Sequence, residues 1–121
     1  VALGTTTTGM MTNDDKLGQQ IIEAGRTAGE KIWQLPMFDE YDDLIKSPIA
    51  DVKNVGGRNA GAITAAKFLA QFAEKTPWVH LDIAGTDDVE KDQGALVKGA
   101  TGVAVRTLVQ FALQFQQKTH E

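Results

Sequence analysis

Cysteine is absent from this 121-residue sequence, which excludes disulfide bridges, thiolate metal sites and cysteine nucleophiles together. No apolar run approaches the roughly 20 residues that a membrane-spanning helix needs, so we expect no membrane partner. The first residues have neither the basic start nor the apolar stretch of a secretory signal. These absences fit a protein of a reducing compartment that folds around an apolar core.

Positive charge is also in short supply. Lys and Arg total 12 against 16 Asp and Glu, a net charge of −4. Phosphate contacts need clustered basic residues and these are scattered, so the composition argues against nucleic acid as a partner. Hydrophobic residues (42%) and charged residues (23%) are ordinary for a folded globular domain, and 13.0 kDa suffices for one modest core. The chain opens on a strand-like Val-Ala-Leu without a Met, and we therefore expect it to be a piece of a longer protein.

Strand-like and helical patterns alternate along the sequence, which predicts an α/β layer of parallel strands covered by helices. A mobile surface loop is predicted between the last strand and the last helix, and residues 50–55 fit either a strand or an extended lead. The third helix has apolar residues on nearly every side, which predicts burial on most sides. Asn13 or Asp14 caps the first predicted helix and Asn59 the third. The predicted strands cover residues 1–3, 9–12, 32–35 and 78–85, and the helices begin near residues 14, 38, 59 and 105.

Residues 78–85, Trp-Val-His-Leu-Asp-Ile-Ala-Gly, combine an alternating strand with a glycine turn. His80 and Asp82 share one face, and burying both is costly unless they are paired or border a site. In the functional interpretation they lie near the carboxyl end of a parallel strand, where α/β sheets bind ligands. The plainer interpretation is a hydrogen-bonded pair that fixes the strand.

Two other clusters have ordinary explanations. Residues 56–61, Gly-Gly-Arg-Asn-Ala-Gly, resemble a phosphate-binding loop with Arg58 as an anion clamp, but they match neither glycine-rich nucleotide motif. A tight turn before a closely packed helix is the simpler interpretation, and a nucleotide-binding domain remains a weak alternative. The acidic residues at 39–43 and 87–92 have the spacing of solvated surfaces and lack the order of a calcium loop.

Residues 78–85, together with residues 50–69 and the Lys-Gly-Ala-Thr-Gly of residues 98–102, closely resemble the C-terminal part of leucyl aminopeptidases, two-metal exopeptidases of the cytosol. The resemblance runs from residue 1 to the last helix. Where the family continues with Arg-Pro after residue 102, this sequence has Val-Ala, which removes a favoured first-turn proline. The family's metal-binding and catalytic segments, among them Asn-Thr-Asp-Ala-Glu-Gly-Arg, have no counterpart in these residues.

The resemblance implies a fold, an activity and partners. Residues 1–121 would be the C-terminal portion of the catalytic domain, an incomplete part of a zinc-exopeptidase-like, three-layer α-β-α sandwich with a mostly parallel sheet. The parent enzyme would release N-terminal amino acids from peptides in the cytoplasm, as a homo-oligomer, with two zinc or manganese ions. This chain would hold no metal ligand and no catalytic residue, so we expect it to be inactive alone. The alternative is a non-catalytic α/β module that self-associates through an unpaired sheet edge near residues 1–3.

Two residues are predicted to line the substrate pocket by this resemblance. At Ala84 the family has a small residue that leaves room for the first side chain of the substrate. At Asp87 some members have a methionine on the same wall. A carboxylate is a poor wall for an apolar group, so either the leucine preference differs or the loop turns Asp87 outward.

Overall fold

The computed structural model describes residues 2–46, 57–94 and 96–119, with side chains to residue 115. Five strands and three α-helices lie in this part of the chain, with a 3-10 helix at Asp39–Ile45. The strands are β1 (Thr8–Thr12), β2 (Ile32–Gln34), β3 (Val79–Asp82), β4 (Asp88–Val89) and β5 (Gly99–Ala100), and the helices are α1 (Asp15–Ala28), α2 (Gly61–Ala73) and α3 (Val105–Thr119). Predicted residues 50–55, and part of the glycine loop, lie outside the described residues.

Helix α1 has strong local signals at both ends. The Asp14 side chain accepts a hydrogen bond from the Leu17 backbone N–H at 2.9 Å, which caps the first turn. Gly29 ends the helix in the left-handed conformation, with φ of 80°, where a side chain would be strained. The prediction of this helix and of its Asp14 cap is confirmed.

Strand β1 is the centre of a three-stranded sheet of order β2-β1-β3. It pairs parallel with β2 and antiparallel with β3, where Met11 lies opposite His80. The α/β fold is confirmed, but the described sheet is mixed rather than mostly parallel. Alternation of strands and helices does not determine the direction of an edge strand, and α/β sheets often have an antiparallel one.

Asn13 holds the segment that leads into β3. Its side-chain amide donates to the carbonyl of Thr76 at 2.9 Å and its carbonyl accepts from the backbone N–H of Trp78 at 2.8 Å. The Thr12 hydroxyl adds a bond of 2.7 Å to the carbonyl of Trp78. The carboxyl end of β1 is therefore tied to the amino end of β3.

The core is built around β1, all five of whose residues are buried. Met10 and Met11 are both 0% exposed and, as neighbours on a strand, point to opposite faces. Gly18 of α1 lies against Met10, and a Cβ there would be only 3.2 Å from the Met10 methyl carbon. Helix α2 also packs on β1, so the central strand is in contact with two helices.

Helix α3 begins without a capping side chain of its own. The Glu30 carboxylate, from the turn after α1, accepts hydrogen bonds from the backbone N–H groups of Ala104 and Thr107, both at 3.1 Å. It also accepts from the Thr107 hydroxyl at 2.7 Å. Helices α1 and α3 are thus joined by a carboxylate as well as by packing.

Four local predictions are wrong. Residues 2–5 form a turn, not a strand, so no sheet edge lies there. Asn59 does not cap α2, whose N-cap is Ala60 in the left-handed conformation without a side-chain bond. Helix α2 is not buried on most sides, since Phe72 is 71% exposed. The predicted mobile loop instead contains the β4–β5 hairpin, because backbone pairing of residues 88–89 with 99–100 has no hydrophobic periodicity to reveal it.

Much apolar surface remains uncovered. Trp33 on β2 is 67% exposed, and a run of α3 side chains is at least half exposed. The α3 residues concerned are Val105, Leu108, Val109, Leu113 and Phe115. No helix in the described part of the chain is long and apolar enough to cross a bilayer. Apolar patches of this kind on a folded domain are typical of interaction surfaces.

Candidate functional site

The turn that follows β3 borders an open cleft of about 430 Å³. Ala84 and Gly85 form one side of it, Gly4 and Thr5 form a second side, and residues of the β4–β5 region close the third. The small residues on two sides keep the cleft wide at this point. The lining of the hairpin side is Asp88, Val89, Glu90 and Gln93.

The turn itself has a defined backbone structure. The Ile83 carbonyl accepts from the backbone N–H groups of Thr86 at 3.0 Å and Asp87 at 2.9 Å. The Asp82 carboxylate accepts from the Ala84 N–H at 3.1 Å, the Asx-type contact that favours a turn directly after a strand. Residue 84 is therefore held in place by the last residue of β3.

The two predicted pocket residues lie in different surroundings. Ala84 lines the cleft and is exposed to it. The Asp87 side chain is exposed to solvent, while its backbone carbonyl accepts from the Thr101 N–H at 2.9 Å. An exposed Asp87 carries no desolvation penalty, so a carboxylate is tolerated at this position.

His80 and Asp82 are half-buried on one face of β3, as the alternation predicts. They are not the expected hydrogen-bonded pair, since the described bond of the Asp82 side chain goes to the Ala84 backbone. Burial lowers the pKa of His80, and the nearby Asp82 charge opposes that change. The imidazole stacks on Trp78, with ring centres 6.1 Å apart. β3 is antiparallel to β1, its neighbour among the described strands, so the expected parallel pairing of this strand is not found there.

The electrostatics of the cleft come from the hairpin. Asp88 and Glu90 are the charged residues among the described lining, and both are exposed. Two exposed carboxylates give a modest negative potential that salt screens. The cleft can receive a side chain of moderate size, but the described residues that line it include no nucleophile with an adjacent base.

Within residues 2–46, 57–94 and 96–119, no three His, Asp or Glu side chains are placed to hold a metal ion together. Two of the four acidic residues at 39–43 form ion pairs instead. Asp43 contacts Lys46 at 2.6 Å, and Asp42 lies 3.4 Å from Lys67, whose side chain is only 9% exposed. A surface role explains this acidic segment.

Sequence reasoning missed a buried contact beneath the turn, between the hydroxyl groups of Thr8 and Thr86 at 2.9 Å. The two residues are 78 positions apart, and no local pattern links them. The run of threonines at 5–8 was the available signal, since a threonine that ends a strand inside a core needs a polar partner.

Comparison with known families gives a match over most of the chain. A family model described as "Cytosol aminopeptidase family, catalytic domain" matches residues 1–109. A probable cytosol aminopeptidase of Alkaliphilus metalliredigens is 55% identical over 117 residues, which cover 97% of this chain and 23% of that protein. One from Gloeobacter violaceus is 54% identical over 113 residues, covering 93% of this chain and 22% of that protein.

Solved structures show the same similarity. A mutant of tomato leucine aminopeptidase has a TM-score of 0.85 at 43% identity, with 93% of this chain and 22% of that chain covered. The bottromycin maturation enzyme BotP in complex with Mn has a TM-score of 0.88 at 38% identity, with 94% and 26% covered. The chain thus spans less than a quarter of the length of the two curated relatives.

Proposed function

This chain belongs to the cytosol aminopeptidase family, and from that premise we propose that residues 1–121 are the C-terminal portion of the catalytic domain of a metal-dependent leucyl aminopeptidase. The enzyme would release N-terminal amino acids from peptides and act in the cytoplasm. The observation that carries the proposal is the match of residues 1–109 to the catalytic-domain model. The structural similarity to tomato leucine aminopeptidase supports it.

The role of this chain would be to build one wall of the substrate pocket. Ala84 lines the cleft after β3, where a methyl side chain leaves room for the first side chain of a peptide. Asp87 would stand at the outer end of the same wall and, being exposed, would meet the substrate only at its solvent side. An apolar first residue such as leucine would then be buried against the Ala84 side of the cleft.

The metal ions would be held elsewhere in the enzyme. The described residues supply no group that fits a divalent ion, so no step of the reaction can be assigned to them through a metal. When bound, two divalent ions, zinc or manganese, would polarise the scissile carbonyl and supply the attacking hydroxide. BotP, one of the structural relatives, was solved in complex with Mn. We therefore propose that the 121 residues alone are inactive.

Exposed apolar surface supports a larger assembly. Trp33, Phe72 and the exposed residues of α3 would lie against other parts of the catalytic domain or against further subunits of a homo-oligomer. The alternative function, a non-catalytic module that self-associates, draws on the same surface. Light scattering on the purified chain would find a monomer at high concentration if that alternative is wrong.

A chimera tests the proposed function. Residues 1–109 would replace the corresponding segment of the Alkaliphilus metalliredigens relative, and turnover of leucyl amide would be measured with manganese or zinc. We expect turnover by the chimera and none by the purified 121-residue chain. A folded chimera without activity, or metal-dependent turnover by the isolated chain, would contradict the proposal.

The pocket assignment has its own test in the same chimera. Ala84→Leu fills the cleft at its wall, so kcat/KM for leucyl amide should fall about tenfold or more while turnover of glycyl amide persists. Thr27→Leu on the exposed face of α1 is the control, since residue 27 lies outside the described lining of the cleft. Equal losses of kcat/KM on both substrates would contradict the assignment of Ala84 to the pocket.

A further inference from the structure

Three threonines converge behind the turn that carries Ala84. Thr86 lies inside this turn and is 8% exposed, although Gly85 before it is half-buried and Asp87 after it is exposed. Its hydroxyl meets the hydroxyl of Thr8 at 2.9 Å, and Thr8, the first residue of β1, is 2% exposed. A buried hydrogen bond therefore connects the turn to the central strand.

A third threonine fastens the turn from the other side. The Thr101 hydroxyl donates to the carbonyl of Thr86 at 2.7 Å, and the Thr101 N–H donates to the carbonyl of Asp87 at 2.9 Å. The same hydroxyl accepts from the Val103 N–H at 3.2 Å, in the segment that leads into α3. A continuous set of hydrogen bonds thus joins strand β1, the turn and the segment that leads into α3.

The position of these hydrogen bonds beside the cleft determines their effect on the pocket wall. Thr86 stands two residues from Ala84, so a displacement of Thr86 moves the wall of the cleft. The hydroxyls of Thr8 and Thr86 are buried, and a buried hydroxyl is costly to leave unpaired, so their contact resists such a displacement. Small misplacements of groups that contact a substrate have large effects on rate.

We propose that Thr8, Thr86 and Thr101 are positioning residues that hold the pocket wall and so set which first side chain of a peptide is accepted. The proposal rests on the proposed function, because it assigns selectivity to the cleft beside Ala84. The threonines act through the turn and do not contact the substrate. Their loss should change the discrimination between substrates more than it changes the chemistry.

The experiment uses the chimera described above and the ratio of kcat/KM for leucyl amide to that for alanyl amide. Thr86→Val keeps the shape of the side chain but removes the hydroxyl, which leaves the Thr8 hydroxyl without this partner. We expect the ratio to fall about tenfold, mainly through KM for leucyl amide, the size that one lost buried hydrogen bond allows. Thr86→Ser keeps a hydroxyl and should restore the ratio.

Thr64→Val is the matched control. Thr64 is buried to the same degree, at 3% exposed, and its hydroxyl donates to the Gly61 carbonyl at 3.1 Å, within α2. It should lower stability while leaving the substrate ratio unchanged. If Thr86→Val fails to fold, Thr8→Val and Thr101→Val test the same chain of contacts.

The outcomes separate the two proposals. A chimera that folds but turns over no aminoacyl amide rejects the proposed function. An active chimera whose substrate ratio is the same in Thr86→Val, Thr101→Val and Thr64→Val overturns the positioning role alone. A fall in the ratio that Thr86→Ser reverses supports it.

Discussion

Removal of the Glu30 carboxylate should loosen α3 from the rest of the fold. This one side chain satisfies two backbone N–H groups and one hydroxyl at the start of the helix. The first N–H groups of a helix have no partner within the helix, and a negative charge near them is favoured by the helix dipole. Ala104, at the N-terminal end of α3, has a positive φ of 74°, so the cap also stabilises a strained backbone.

The size of the effect follows from these contacts. Loss of a capping side chain costs about 0.5–2 kcal/mol, and hydrogen bonds to a charged group contribute about 1.5–3 kcal/mol. Glu30→Ala also deprives the hydroxyl of Thr107, a residue that is 0% exposed, of its bond to Glu30. We therefore expect Glu30→Ala to lower the free energy of unfolding by about 2–3 kcal/mol. Glu30→Gln keeps an acceptor but loses the charge, and we expect it to lower the free energy of unfolding by about 1 kcal/mol.

Urea unfolding followed by circular dichroism measures this difference. With a slope of about 2 kcal/mol per molar urea, Glu30→Ala should lower the midpoint by about 1 M. Glu23→Ala, an exposed carboxylate on α1, is the control and should stay near the parent value. A Glu30→Ala midpoint equal to that of Glu23→Ala would refute the capping role.

Three further outcomes follow from contacts described above. Burial lowers the pKa of His80, so the unfolded chain binds its proton at a higher pH, and stability should fall as the pH drops below about 6.5 toward the folded pKa. An NMR titration that placed the His80 midpoint at or above that value would contradict the burial. Asp42→Asn removes the carboxylate 3.4 Å from the nearly buried Lys67 and should cost about 1–3 kcal/mol, whereas Lys67→Met should be close to neutral; urea unfolding that gave the reverse order would refute this. Gly25→Ala places a Cβ 3.0 Å from a backbone carbonyl in the turn after α1 and should destabilise the fold by about 1–3 kcal/mol. In Gly61→Ala the new Cβ meets no atom within 4 Å, so this variant should be neutral or slightly stabilising. Thermal melts compare the two variants.

Elements with local signals were predictable from sequence. Helix α1 has an aspartate at its cap, apolar residues at helical spacing and a glycine at its end, and the structure follows all three. β3 forms where its sequence indicates, but all four of its residues are half-buried, and its direction does not follow from the sequence alternation. That direction is supported by Asn13, which contacts residues more than 60 positions away.

The site was predictable only in part for the same reason. The glycine after Ala84 predicted the turn that the structure has, whereas the role of Ala84 in a substrate pocket, which the resemblance implies, stays a prediction. The support beneath the turn depends on threonines brought together by the fold, at sequence separations of 78 and 15. The exposure of α2 was mispredicted because a helix that is apolar all round indicates a covering layer, and the described residues supply only part of one.

The two methionines at the middle of β1 can report when the sheet opens. Thioether sulfurs react with peroxide only when the reagent reaches them, and both side chains are 0% exposed, one on each face. Met37, half-buried outside the sheet, would take up oxygen first. The rate at which Met10 and Met11 are oxidised therefore measures how often the central strand separates from its neighbours.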